Sequence, residues 1–145
     1  MSAEILAELE RIKHERADTV RSFHRRYSRK RLQALMGEVG AAILVDPDLV
    51  IYMATQMFER LVDYPPSELQ GESIKRLIPT RFHERHDIQT ANFLKDPHTL
   101  SMMRQPLPIL RRDGTERLVR IEIEPCKLDT DRYFVARFYD EQGEE

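Results

Sequence analysis

The sequence has no tryptophan, one cysteine, five glycines and no long apolar run. Each shortage removes a class of protein. The single Cys126 rules out an internal disulfide and agrees with a reducing, cytoplasmic setting. So few glycines leave no Gly-rich loop to cradle a phosphate. No stretch approaches the roughly 20 apolar residues of a membrane span. The Met-Ser-Ala-Glu start lacks the apolar core of an export signal. A net charge of -2 gives no global attraction to nucleic acid or membrane. No Ser-His-Asp elbow, phosphate loop or kinase signature occurs, so no enzyme activity is expected. What is present, 41% hydrophobic and 33% charged residues over 145 positions, suits one well-solvated globular domain.

Residues 2–36 contain neither Gly nor Pro, and Gly37 follows as a stop. One helix is expected over 1–36, about 50 Å long at roughly 1.5 Å per residue. Ile5, Leu9, Ile12, Val20, Phe23 and Tyr27 fall on one stripe, a candidate dimerisation seam. The first half of this helix is acidic (Glu4, Glu8, Glu10, Glu15, Asp18). The second half is basic (Arg21, Arg25, Arg26, Arg29, Lys30, Arg31), an order that favours the helix dipole. The basic half is also a candidate contact for nucleic acid or an acidic partner, although the rest of the chain is net acidic.

From residue 38 the period changes. Ala41–Val45 and Leu49–Met53 flank Asp46-Pro47-Asp48 and read as a hairpin. Thr55 can cap a short helix through Leu61, and Ser73 another that ends at Pro79. A longer helix is expected over 80–95. Strands follow over about 102–111, 116–125 and 131–139, joined by Arg112–Thr115 and Lys127–Asp131. Val119, Ile121 and Ile123 alternate with Leu118, Arg120, Glu122 and Glu124, a half-buried antiparallel pattern. The expected class is α+β: a five-stranded antiparallel sheet with helices on one face, preceded by a long N-terminal helix. Its parts are the helix at 1–36, the mixed domain at 37–140 and a tail at 141–145.

This order, with three local motifs, resembles the PAS family over residues 36–140. Leu61-Val62-Asp63-Tyr64 and Ser67-Glu68-Leu69-Gln70-Gly71 resemble its L-L-G-Y…E-L-[IV]-G segment. Leu77-Ile78-Pro79 through His86 resembles the start of its long helix. Leu110-Arg111-Arg112-Asp113-Gly114-Thr115 resembles its R-[KR]-D-G-[ST] turn. Thr55 stands where Asn is common, and caps as Asn would. Asp63 stands where Gly is common, and Asp tolerates the left-handed backbone such a turn needs.

The resemblance implies a pocket between sheet and helices and leaves its content open. A LOV-type flavin photocycle is not expected, because Glu72–Leu77 lacks the reactive Cys of that subgroup and Cys126 lies on a strand. Haem is one candidate. Arg85-His86-Asp87 and Asp96-Pro97-His98 resemble motifs of the oxygen-sensing FixL-type PAS subgroup. That resemblance implies His86 as iron ligand, with Phe93 on the same helical face, Arg104 beside bound gas, and Ile121 and Ile123 crowding the distal side. Arg104 fits the register counted from Asp96-Pro97-His98, and Gln105 the register counted from Arg111-Arg112-Asp113-Gly114. An empty or small-ligand pocket is the other candidate. Pro106 and Pro108 mark their strand as irregular or at an edge. His83 is expected to face outward, with no partner set for zinc.

Three functions follow as expectations. The first is a bacterial-type, cytoplasmic sensory or interaction module that homodimerises through its N-terminal helix. With no output domain before Glu145, it would act in trans on a kinase or regulator, or be an input domain. The second is a haem-based gas or redox sensor using His86. The third is a ligand-free adaptor that binds protein or nucleic acid through the basic half of the helix.

Overall fold

The computed structural model describes residues 2–37, 40–65 and 67–141, without the side chain of Arg104. The tail expected at 141–145 lies, after Glu141, outside the described residues. The elements run α1 (Ala3–Arg26), α2 (Arg29–Met36), β1 (Ala41–Val45), β2 (Ile51–Ala54), α3 (Gln56–Val62), single 3-10 turns at Ile74–Leu77 and Thr80–Phe82, α4 (His83–Lys95), β3 (Leu100–Leu110), β4 (Glu116–Leu128) and β5 (Asp131–Asp140). The strands form one antiparallel sheet in the order β2-β1-β5-β4-β3. Its register is set by alternation. On β1, Ile43 and Val45 face one side, and Ala42 and Leu44 the other. On β5, Phe134, Ala136 and Phe138 join the first side, Tyr133 and Val135 the second.

The sheet therefore has two cores. The first holds Phe58, Val62, Leu69 and Leu77 against β1, β4 and β5, beneath the expected helical layer. The second lies on the opposite face, where the N-terminal helices bring Val20, Phe23, Tyr27, Leu32 and Met36 down on Leu44, Tyr52, Tyr133 and Val135. Each of these side chains contributes about 1.5–3 kcal/mol on full burial.

The single helix expected over 1–36 is broken. Tyr27 is extended (φ -123°, ψ 125°), and Ser28 starts α2 by accepting a bond from the Arg31 amide at 3.1 Å. The break has a tertiary cause. It lets Leu32 and Met36 bury on the sheet, which a straight continuation of α1 would carry away. The Tyr27 hydroxyl donates to Asp129 at 2.5 Å, and the Arg26 and Arg31 guanidiniums stack on its ring. The stripe Ile5, Leu9, Ile12, Val20, Phe23, Tyr27 is thereby divided. Its last three members are at most 4% exposed within the chain itself, while Ile5 and Leu9 are 53% and 51% exposed.

Local chemistry accounts for the turns. Asp46 accepts from the Asp48 and Val50 amides and from the Tyr52 hydroxyl, closing the β1–β2 connection. Thr55 caps α3 at the Phe58 amide and also bonds Ala42 and Gly40. Asp63 ends α3 in the left-handed conformation, φ 61°. Gly71 sits at φ 85°, where a side chain would be strained. β3 is an edge strand whose register shifts between Met102 and Leu107, around Pro106, so the irregular edge expected from the prolines is present. Among the described residues no helix is long and apolar enough to cross a membrane.

Candidate functional site

α4 and the turn before it stand over β3, β4 and β5 and leave a cavity of about 390 Å³. Its floor and walls are apolar: Leu77 and Ile78 from the helical side, Ile109, Ile121 and Ile123 from β3 and β4, and Ala136 and Phe138 from β5. Its polar lining consists of Arg85, His86 and Gln89 of α4 and Ser101 and Gln105 of β3.

The roof is pinned at several points. Arg81 pairs with Glu116 through two bonds of 2.5 and 2.6 Å, tying the entry of α4 to β4. Lys75 pairs with Asp87 at 3.0 Å. Arg111 donates to the Leu61 carbonyl and the Arg112 amide to the Val62 carbonyl, so the Arg-Arg-Asp-Gly turn anchors the end of α3. His83 is half-buried and does not face outward as expected. Its Nε2 lies 2.7 Å from the Ile78 carbonyl and 3.2 Å from that of Lys75. Carbonyl oxygens only accept, so Nε2 carries a proton and donates it. His83 therefore closes the 3-10 turn that forms the cavity roof.

His86 lines the cavity. Burial pushes its imidazole below its ordinary range, partly offset by the Asp87 carboxylate and reinforced by Lys75 and His83. Its Nδ1 is 3.5 Å from the Thr90 hydroxyl, and its Nε2 has no hydrogen bond to a described residue. Ile121 and Ile123 line the same cavity. Phe93 does not line the cavity. It packs on Phe134 and His98, at centroid distances of 5.4 and 5.7 Å. The side chain of Arg104 lies outside the described residues. Arg85 and Ser101 are lining residues that sequence reasoning missed. Helical spacing favours the position of His86 over that of Arg85, and the register break in β3 hides Ser101.

A haem held by His86 would have to occupy this cavity. The neutral imidazole with an open Nε2 suits iron in chemistry. The size does not suit it. At about 390 Å³ the cavity is smaller than an iron porphyrin with its side chains. To admit one, α4 and β3 would have to move apart.

Two other features are set aside by geometry. Cys126 packs at the second core, on the far side of the sheet, where burial pushes its thiol up to about 11. A larger, open cleft of about 620 Å³ lies between α1 and the strand turns, lined by Arg26, Asp46 and Asp131 among others. Several of its charges are engaged: Arg26 by Asp131 and by Asp129 beyond the lining, Asp18 by Arg21, and Asp46 by the Tyr52 hydroxyl.

A five-stranded sheet of order 2-1-5-4-3, with a helical roof over one half and a cavity beneath it, defines the PAS fold. Solved structures agree. The chain is similar to the PAS domain of an HTR-like protein from Haloarcula marismortui, with 24% identity, a TM-score of 0.62, and coverage of 83% of this chain and 97% of the other. It is similar to a PAS domain from a two-component sensor histidine kinase (11% identity, TM-score 0.56, 74% and 90% covered). It is also similar to the LOV protein of Rhodobacter sphaeroides (18% identity, TM-score 0.62, 75% and 64% covered). No family model matches the sequence, and no curated protein does.

Proposed function

We propose that this chain is a non-enzymatic sensory PAS module. It reads the state of the α4-side cavity and passes it to a partner protein such as a kinase or regulator, and it homodimerises through the free half of α1. The observation that carries this reading is the double use of β5. Ala136 and Phe138 line the cavity, while Tyr133 and Val135, on the opposite face of the same strand, hold α1. A shift of β5 caused by a ligand changes the seat of the helix. Sensory PAS domains, such as the one from a sensor histidine kinase, share this fold.

The dimer seam in this reading is Ile5, Leu9 and Ile12 with Leu6 beside them. Ile5, Leu6 and Leu9 are each about half exposed. Light scattering on the full chain at high micromolar concentration tests it. A dimer is expected, converting to monomer in the Ile5→Glu/Leu9→Glu double variant. A monomeric wild-type protein would eliminate the dimer.

A further inference from the structure

We propose that the cavity takes an apolar monocarboxylate of medium chain length, its tail on the β-sheet floor and its carboxylate at Arg85. This rests on the reading of the cavity as the sensing site and adds the chemical class of what it senses.

The charge of the lining decides the headgroup. Among the described residues, the cavity wall carries one full cation, Arg85, and no carboxylate. Arg85 is exposed at the mouth, and no described residue forms an ion pair with it. Of the acids of α4, Asp87 is engaged by Lys75 at 3.0 Å, and Glu84, next to Arg85 in the chain, does not line the cavity. His86 is held toward its neutral form by burial, so it adds a hydrogen-bonding edge and no second charge. Gln89 and Gln105 lie on either side of the mouth, on α4 and β3, and offer neutral donors and acceptors. A cationic ligand would meet Arg85 with no compensating anion. An anion gains a guanidinium whose fork matches a carboxylate.

The wall decides the tail. Its aliphatic floor offers nothing to a polar body, and burying hydroxyls or amides against it without partners is costly. The volume of about 390 Å³ suits a chain of about ten carbons with its headgroup.

Decanoate, decanol and decylamine share one tail and differ in charge, so titrating the full chain with each separates the terms. Isothermal titration supplies the affinities, and amide shifts of Ile121, Ile123 and Ala136 report whether binding is at the cavity. Decanoate is expected to bind about two- to fivefold tighter than decanol, the range of an exposed ion pair, and decylamine more weakly than decanol. Arg85→Gln, on an exposed helical position, should bring decanoate to the level of decanol and leave decanol unchanged. Equal binding of decanoate and decanol, with shifts at the three amides, would refute the carboxylate while leaving the cavity a binding site. So would an Arg85→Gln protein that retains full decanoate affinity. Absence of binding or of shifts with all three probes would remove the sensing reading of the cavity as well.

Discussion

Truncating Phe23 to alanine separates two descriptions of the N-terminal helix. Phe23 is 4% exposed. Its ring meets those of His24, Tyr27, Tyr52 and Tyr133 at centroid distances of 4.8–5.4 Å. Removing it deletes the transfer free energy of the ring and leaves a void that four aromatic neighbours cannot close without shifting. A loss of about 3–5 kcal/mol is expected, a large share of the roughly 5–15 kcal/mol that holds a domain together. The melting temperature should fall by roughly 6–20 °C. Urea unfolding followed by circular dichroism measures it, at two protein concentrations a hundredfold apart. If the Phe23 contacts are internal to one chain, the loss is independent of concentration. A Phe23→Ala loss that itself changes between the two concentrations, by up to about 2.7 kcal/mol in free energy, would instead place Phe23 on a seam between chains. A loss below about 1 kcal/mol would show that α1 is not part of the cooperative unit, and the link from β5 to the helix would fail with it.

Two further substitutions test the cavity roof. His83→Ala should cost about 1–3 kcal/mol, because it strips the donor from two carbonyls of the 3-10 turn; a melting temperature within 1–2 °C of wild type, when each kcal/mol moves it by about 2–4 °C, would contradict the role assigned to His83. For His86, burial holds the folded-state imidazole below its ordinary 6.5. The unfolded chain takes up a proton near pH 6.5 while the folded one does not, so stability from this group is full above that pH and declines below it, down to the folded value. His86→Gln should flatten that decline, and variant and wild-type stability curves that stay parallel below pH 6.5 would refute the burial.

The sheet was largely legible in the sequence because its signals are local. Period-two alternation marked β4, Asp46-Pro47 marked the hairpin, and Thr55 and Asp63 behaved at the ends of α3 as their side chains require. The helix break was not legible. Between residues 2 and 36 the only local sign of the break is Ser28, a good N-cap, and the contacts that accompany it are tertiary: the Tyr27 bond to Asp129, a hundred residues downstream, and the burial of Leu32 and Met36. Helix periodicity likewise identified one apolar stripe without revealing that its two halves meet different surroundings. At the site, only the family resemblance brings Ile121, Ile123 and His86 together, and alternation and helical facing show no more than that each can point inward. The inward turn of His83 was not legible, because the two carbonyls that attract it belong to a turn whose path the sequence leaves undetermined. Phe93 shares the helical face of His86 but lies two turns further on, where Phe134 is closer than the cavity.

The sheet's borders bear on how such a chain behaves when crowded. An unpaired strand border is a template on which another polypeptide can grow into an aggregate. One border here, β3, carries Pro106 and Pro108 and a register break, so it lacks an even row of donors. The other, β2, is already engaged: Ile51 exchanges backbone bonds with Gly71 and Glu72, and Val50 bridges to Ser73. Both borders are thus interrupted along part of their length, which disfavours strand addition and leaves side-chain surfaces such as the exposed half of α1 as the better place for a partner.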